Sequence, residues 1–231
     1  MLRVFISGQK YFGEQVFDLC RKMDGVEIVG VAAPIGDKYI GKAAATWKVP
    51  IIPSGSLSGD TMPDNVDLGI TAHSFDYIGR KTRFKPLYGW IGYHPSLLPR
   101  HRGRSSIEWA IKMREPVTGG TVFWLNSGID RGDIAYQDFC FIDPKLFTVD
   151  PKKAAANLWR NSLQEIGIKL FSKAIKDIIN GVIIKTPQDK RFSTWEPSTE
   201  VKDIYRPDSL MLEQNNRADG WHKKINKNER K

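Results

Sequence analysis

Apolar positions along the first half of the chain follow two rhythms. Leu2 to Ser7 is a short, nearly unbroken apolar run closed by Gly8, and Val26 to Ala33 is another. Unbroken runs of this length mark strands covered on both faces. Between them, from Gly13 to Met23, Val16, Phe17, Leu19 and Cys20 cluster toward one side of a helix. A second helix pattern covers about Tyr39 to Trp47. Strand patterns follow at Val49 to Ile52 and, beyond a Gly/Ser/Pro-rich loop, at Val66 to Ala72. Strands separated by helices predict parallel pairing through crossovers. Functional groups in such sheets gather beyond the carboxyl ends of the strands.

The second half changes character. Gly89 to Tyr93 reads as a short strand stopping at His94-Pro95. Ser105-Ser106-Ile107-Glu108 has the form of a capping box and predicts a helix through Ile111. Thr121 to Leu125 and Ile134 to Phe141 read as strands joined by the turn Gly128-Ile129-Asp130-Arg131-Gly132, close enough to pair antiparallel. Asp150-Pro151 starts a long helix whose apolar residues, Leu158 to Ile179, recur at three- and four-residue steps up to Asn180-Gly181. The expected fold class is therefore α/β: a Rossmann-like, mixed but mostly parallel twisted sheet flanked by helices. The expected division is a catalytic domain over 1–197 and a polar, basic extension over 198–231, where periodicity fades.

Composition narrows the function only a little. The 231 residues carry 35 basic and 26 acidic side chains, a net charge of +9, which favours anionic partners. Much of that surplus lies in the final HKKINKNERK, read as a solvated arm, with an RNA contact as the lesser reading. No apolar run approaches the roughly 20 residues of a membrane-spanning helix, so no membrane partner is expected. Two cysteines without metal-type spacing fit a reducing, cytoplasmic setting.

Candidate chemistry comes from three places. Gly8-Gln9-Lys10-Tyr11-Phe12-Gly13 links the first strand to the first helix; it is either a tight turn or a contact loop for an anionic substrate. Its spacing fits neither a dinucleotide fingerprint nor a P-loop. Of the four histidines, His94 stands at a strand end before a proline and a basic, glycine-containing stretch. It could serve as acid/base or oxyanion donor. No histidine pair has metal-ligand spacing with a third ligand, so no metal is expected. Asp130 is either a turn-former or the carboxylate partner of an imidazole.

The string Tyr93 to Gly103, YHPSLLPRHRG, together with Ser127 to Ile134, SGIDRGDI, resembles the two ordered motifs of the folate-dependent formyltransferase superfamily. The similarity is greatest to the hydrolase domain of 10-formyltetrahydrofolate dehydrogenase. The resemblance covers about residues 1–197 and implies 10-formyltetrahydrofolate as formyl donor. Its catalytic trio is Asn, His and Asp, of which His94 and Asp130 match the last two. At the Asn position this chain has Gly92. That leaves the formyl oxygen one donor short, with a water above the glycine as a possible substitute and Gly92→Asn expected to raise transfer. Loss of such a donor costs ~2.7–4 kcal/mol.

The same resemblance implies folate contacts, mostly through backbone, at His73, Ser74, Phe75, Tyr77, Ile78, Ile129 and Asp130. It implies acceptor contacts at Gly8, Gln9, Lys10, Arg102 and Gly103. Arg80, Lys81, Arg83 and Lys85 are either solvated or partners of the folate's glutamate tail. The expected partners are the folate and a small anionic amine, a nucleotide sugar, a ribonucleotide amine or an aminoacyl group. A tRNA is the lesser possibility, and the oligomeric state has no sequence signal. Formyl transfer to an amine is the leading expectation. Hydrolysis of the formyl-folate and non-catalytic folate binding are the alternatives.

Overall fold

The computed structural model describes residues 1–199. Seven strands form one sheet: β1 (Leu2–Gly8), β2 (Val26–Ala33), β3 (Ile51–Pro53), β4 (Leu68–Ala72), β5 (Trp90–His94), β6 (Val117–Trp124) and β7 (Ile134–Phe141), in the order β3-β2-β1-β4-β5-β6-β7. The pairs from β3 through β5 are parallel, while β5–β6 and β6–β7 are antiparallel. The sheet is mixed and mostly parallel, as the two rhythms of the sequence require.

Alternation along β1 explains its continuous apolar run. Val4 and Ile6 enter the larger core cluster, with Ile70, Ile91 and Val122. Phe5 points the opposite way into a smaller cluster with Leu57, Met62, Ile78 and Trp90. A strand with both faces buried has no use for polar positions. The larger cluster is closed by α1 (Lys10–Lys22), through Val16, Phe17 and Cys20, and by the long helical segment near the carboxyl end. Shorter helices are α2 (Ile40–Thr46), α3 (Arg80–Phe84) and α4 (Ser106–Lys112).

The chain leaves β1 for β2 and β3, then returns to lay β4 on the other side of β1. The crevice for a ligand in such a sheet opens where strand order reverses, here at the carboxyl ends of β1 and β4. Gly8 is the close-approach point there. A Cβ on it would stand 2.7 Å from the Ala72 carbonyl oxygen.

Three expectations need correction. The expected long helix is α5 (Pro151–Leu158), a π turn over Trp159–Leu163, and α6 (Gln164–Ile179). Its start is as expected, with the Asp150 carboxylate accepting from Lys153 N. The capping box at Ser105 does not form. Ser105 is left-handed (φ 64°), and its hydroxyl bonds Thr199 instead. β6 starts at Val117, before the expected Thr121, because Gly119 and Gly120 belong to the strand but give it little pattern. The expected basic extension, beyond its first two residues, lies outside the described residues.

Candidate active site

His94 is the last residue of β5 and pairs with Thr121 of β6. Its ring is 7% exposed. The loop that follows is fastened to the sheet by Thr121, whose hydroxyl donates to Ser96 O (2.6 Å) and accepts from Leu98 N (3.1 Å). This returns the chain so that the His101 carbonyl lies 2.7 Å from His94 Nε2. A carbonyl only accepts, so Nε2 carries the hydrogen. Nδ1 is then the nitrogen that can exchange a proton, and it faces Asp130 Oδ2 at 3.7 Å.

Asp130 occupies a left-handed position (φ 49°) in the turn between β6 and β7. Gly103 N donates to its Oδ2 at 2.7 Å. Gln188 Nε2 donates to the carbonyls of Asp130 (2.9 Å) and Gly132 (2.7 Å). The two motif loops thus meet, imidazole beside carboxylate, at the carboxyl edge of the sheet.

What fastens them was not legible in the sequence. The stretch 184–199 runs back across both loops. Gln188 Oε1 accepts from Arg102 Nε and Nη2, and Arg102 Nη1 donates to Ser193 Oγ. Thr194 accepts from His101 N and from Arg102 N. The His101 ring, 1% exposed, has Glu115 on one nitrogen (3.0 Å) and Glu196 on the other (3.1 Å). Buried acids and bases in such a cluster are tolerated only as partners. None of these polar residues in the stretch has a periodicity to betray it, and the basic reading of 98–103 concealed that Arg102 and His101 are internal.

Arg102 therefore departs from its expected role. Its guanidinium is buried and committed to Gln188 and Ser193, not presented to an acceptor. Burial first, then Arg131 nearby, hold it below the usual arginine range, with Asp130 pulling the other way. Gly103 acts through its amide, on Asp130.

The loop after β4 carries the expected folate residues. Asp76 organises it: its carboxylate accepts from Ser7 Oγ (3.0 Å), Ser54 Oγ (3.1 Å) and Gly55 N (2.7 Å). Ser74 is turned inward, with its hydroxyl 2.6 Å from that of Ser7. The Ile78 side chain is buried in the smaller cluster, so only its backbone could reach a ligand. His73, in a left-handed conformation (φ 57°), lies edge-on to Phe75 and to Trp159 of the π turn. Phe75 sits under the Arg104 guanidinium, and Ile129 is exposed. Among the basic residues proposed for a glutamate tail, Lys85 is occupied: it bonds the carbonyls of Gly59 and Met62 and pairs with Asp64 at 3.0 Å.

The loop after β1 also differs from expectation. An anion at the α1 terminus would need the amides of its first turn. Lys10 N is already bonded to Asp37 Oδ2 at 3.0 Å, and Asp37 Oδ1 accepts from Tyr39 N and Gly41 N. The Asp37 carboxylate thus takes one amide of the α1 first turn, that of Lys10. A cavity of about 250 Å³ beside Asp37 and Lys42, at the ends of β2 and β3, lies three strands from β5 and does not involve His94 or Asp130.

At Gly92 the position of a side chain is already taken. A Cβ there would overlap Thr71 Oγ1 and stand 3.0 Å from Leu125 Cδ1. The space is already filled by side chains. Gly92→Asn alone therefore strains the sheet, and the expected gain in transfer is withdrawn.

Comparison with known proteins places this fold. The family model described as formyl transferase matches residues 57–165. The chain is 30% identical over 99% of its length to cytosolic 10-formyltetrahydrofolate dehydrogenase of Mus musculus. It is 32% identical over 84% of its length to the mitochondrial enzyme of that organism. It covers 25% and 22% of these two, so it spans about a quarter of the length of the curated relatives it matches. Among solved structures, an N-formyltransferase of Helicobacter canadensis, bound to folinic acid and dTDP-3-aminofucose, superposes with a TM-score of 0.69 at 19% identity, covering 87% of this chain and 73% of that one. Phosphoribosylglycinamide formyltransferase of Bacillus halodurans gives 0.59 at 18% identity, with 76% and 96% covered. No helix among the described residues is long and apolar enough to cross a membrane.

Proposed function

We propose, for a chain that belongs to the formyltransferase superfamily, that it takes the formyl group of 10-formyltetrahydrofolate and passes it to an amine at His94 and Asp130. The observation that carries this reading is the pair itself: Nε2 of His94 is tied to the His101 carbonyl, and Nδ1 faces Asp130 at 3.7 Å. The folate would lie along the loop 73–78 and the turn at Ile129-Asp130. The acceptor would approach past Gly8, Gln9 and Lys10.

The chemistry then follows from the two side chains. The amine nitrogen attacks the formyl carbon, and the carbonyl π electrons move onto oxygen. With a proton on Nδ1 as well as on Nε2, His94 donates Nδ1–H to that oxyanion as it forms, a contact worth more in the transition state than before it. Asp130 accepts the proton lost by the amine. Collapse of the intermediate breaks the bond to N10 of the folate, and N10 takes up the proton that Asp130 received, leaving as tetrahydrofolate. Residues 1–197 would constitute the catalytic domain.

A second reading uses water as the acceptor, giving formate and tetrahydrofolate. Two observations favour it: Asp37 already bonds the Lys10 amide at the start of α1, and position 92 carries no side-chain amide. The purified chain, mixed with 10-formyltetrahydrofolate with and without a panel of amines, separates these readings. Tetrahydrofolate released only with an amine supports transfer, and release without one supports hydrolysis. Folate binding with no release under any condition supports the non-catalytic alternative and ends both.

A further inference from the structure

We propose that Thr71 supplies the second hydrogen-bond donor to the formyl oxygen, from the strand next to His94. The inference rests on the reading of this site as a formyl-transfer centre. Thr71 of β4 is paired in register with Gly92 of β5. Side chains paired across a sheet rise from the same face, and so do those two residues apart on one strand. Thr71, Gly92 and His94 therefore share one face. Two residues span about 6.7 Å along a strand and neighbouring strands lie about 4.8 Å apart, which sets the Thr71 and His94 backbones roughly 8 Å apart. That span suits two donors converging on one oxygen, each at about 2.7–3.1 Å.

The hydroxyl is available for this. Among the described residues Thr71 Oγ1 has no hydrogen-bond partner, and it is not among the buried atoms sealed from solvent. The Gly92 position that it borders is lined by Leu125 and Phe123. A donor beside an apolar wall acts with little competition from water. The overlap between Thr71 Oγ1 and a Cβ at position 92 makes the two residues alternatives. Glycine at 92 leaves the Thr71 hydroxyl in place, and a side chain at 92 displaces it.

The experiment measures tetrahydrofolate release at saturating acceptor by the wild-type chain, Thr71→Val, Thr71→Ser, Thr71→Ala and Thr71→Ala/Gly92→Asn. Binding of 5-formyltetrahydrofolate to each is followed by calorimetry. Thr71→Val keeps the shape and removes the donor, so kcat should fall roughly 10²–10³-fold, while affinity for 5-formyltetrahydrofolate stays near wild type. Thr71→Ser should retain most of the rate. The double variant should recover about tenfold or more over Thr71→Ala, since an amide then enters the space the hydroxyl left. A Thr71→Val rate close to wild type, or Thr71→Ser as slow as Thr71→Val, overturns the inference. A wild-type chain that releases no tetrahydrofolate with any acceptor or with water sinks the formyl-transfer reading itself, and this inference with it.

Discussion

The His94 ring donates through Nε2 to the carbonyl of His101, 2.7 Å away, and this bond decides which nitrogen does chemistry. With Nε2 committed, only Nδ1 is left to meet Asp130 and a substrate. The position of that carbonyl depends in turn on the His101 ring, held between Glu115 and Glu196. The account predicts that His101→Phe lowers kcat by about tenfold or more with little change in folate affinity, because a catalytic group misplaced by about 1 Å can cost 10²-fold. Steady-state kinetics with a parallel binding measurement check it.

Gln188 joins Arg102 to the carbonyls of Asp130 and Gly132. Gln188→Leu leaves a buried guanidinium and two carbonyls short of a partner. The expected cost is about 1–3 kcal/mol of stability, with a fall in activity since Asp130 loses its anchor. Urea denaturation and the release assay test the two parts separately.

The Tyr93 phenol donates to Leu163 O at 2.6 Å, on the π turn between α5 and α6. Burial first, then Cys140 and Asp138, raise it above the ordinary phenol range. Tyr93→Phe keeps the ring against Phe12 and Trp159 and removes one hydrogen bond. The expected loss is about 0.5–1.5 kcal/mol, read from the urea midpoint at neutral pH.

Cys20 is fully buried, and burial pushes its thiol up to about 12 from 9.0. The folded state keeps that proton through a range in which the unfolded chain releases it. Stability contributed by the neutral thiol is therefore complete below pH 9.0, then falls as pH rises toward about 12. Thermal melting between pH 8 and about 11 should show this decline. Cys20→Ala should lower stability at neutral pH and flatten the decline. An equally steep decline in the variant contradicts the assignment.

Much of the fold could be read from the chain because burial leaves a periodic trace. The doubly covered β1 and the carboxyl half of β2 lie in nearly unbroken apolar runs, and α1 shows its buried side at helical spacing. Elements without that trace were misread. The first half of β6 holds two glycines, Gly119 and Gly120, and the π turn shares its apolar residues with the helices on either side. In the site, His94 and Asp130 were marked by their motifs. Gln188, Thr194 and Glu196 act through contacts spanning 56 to 95 residues, which no local pattern records. Thr71 was concealed for a different reason. Its importance comes from a residue that lacks a side chain, on the neighbouring strand.

The most direct measurement is tetrahydrofolate release by His94→Ala and Asp130→Asn, against wild type, with binding of 5-formyltetrahydrofolate confirmed for each. Acid–base and oxyanion roles of this kind contribute about 10²–10⁴-fold. The account predicts losses in that range for both variants, with the folate still bound. Release at near wild-type rates by either one, in a folded and folate-binding protein, contradicts it.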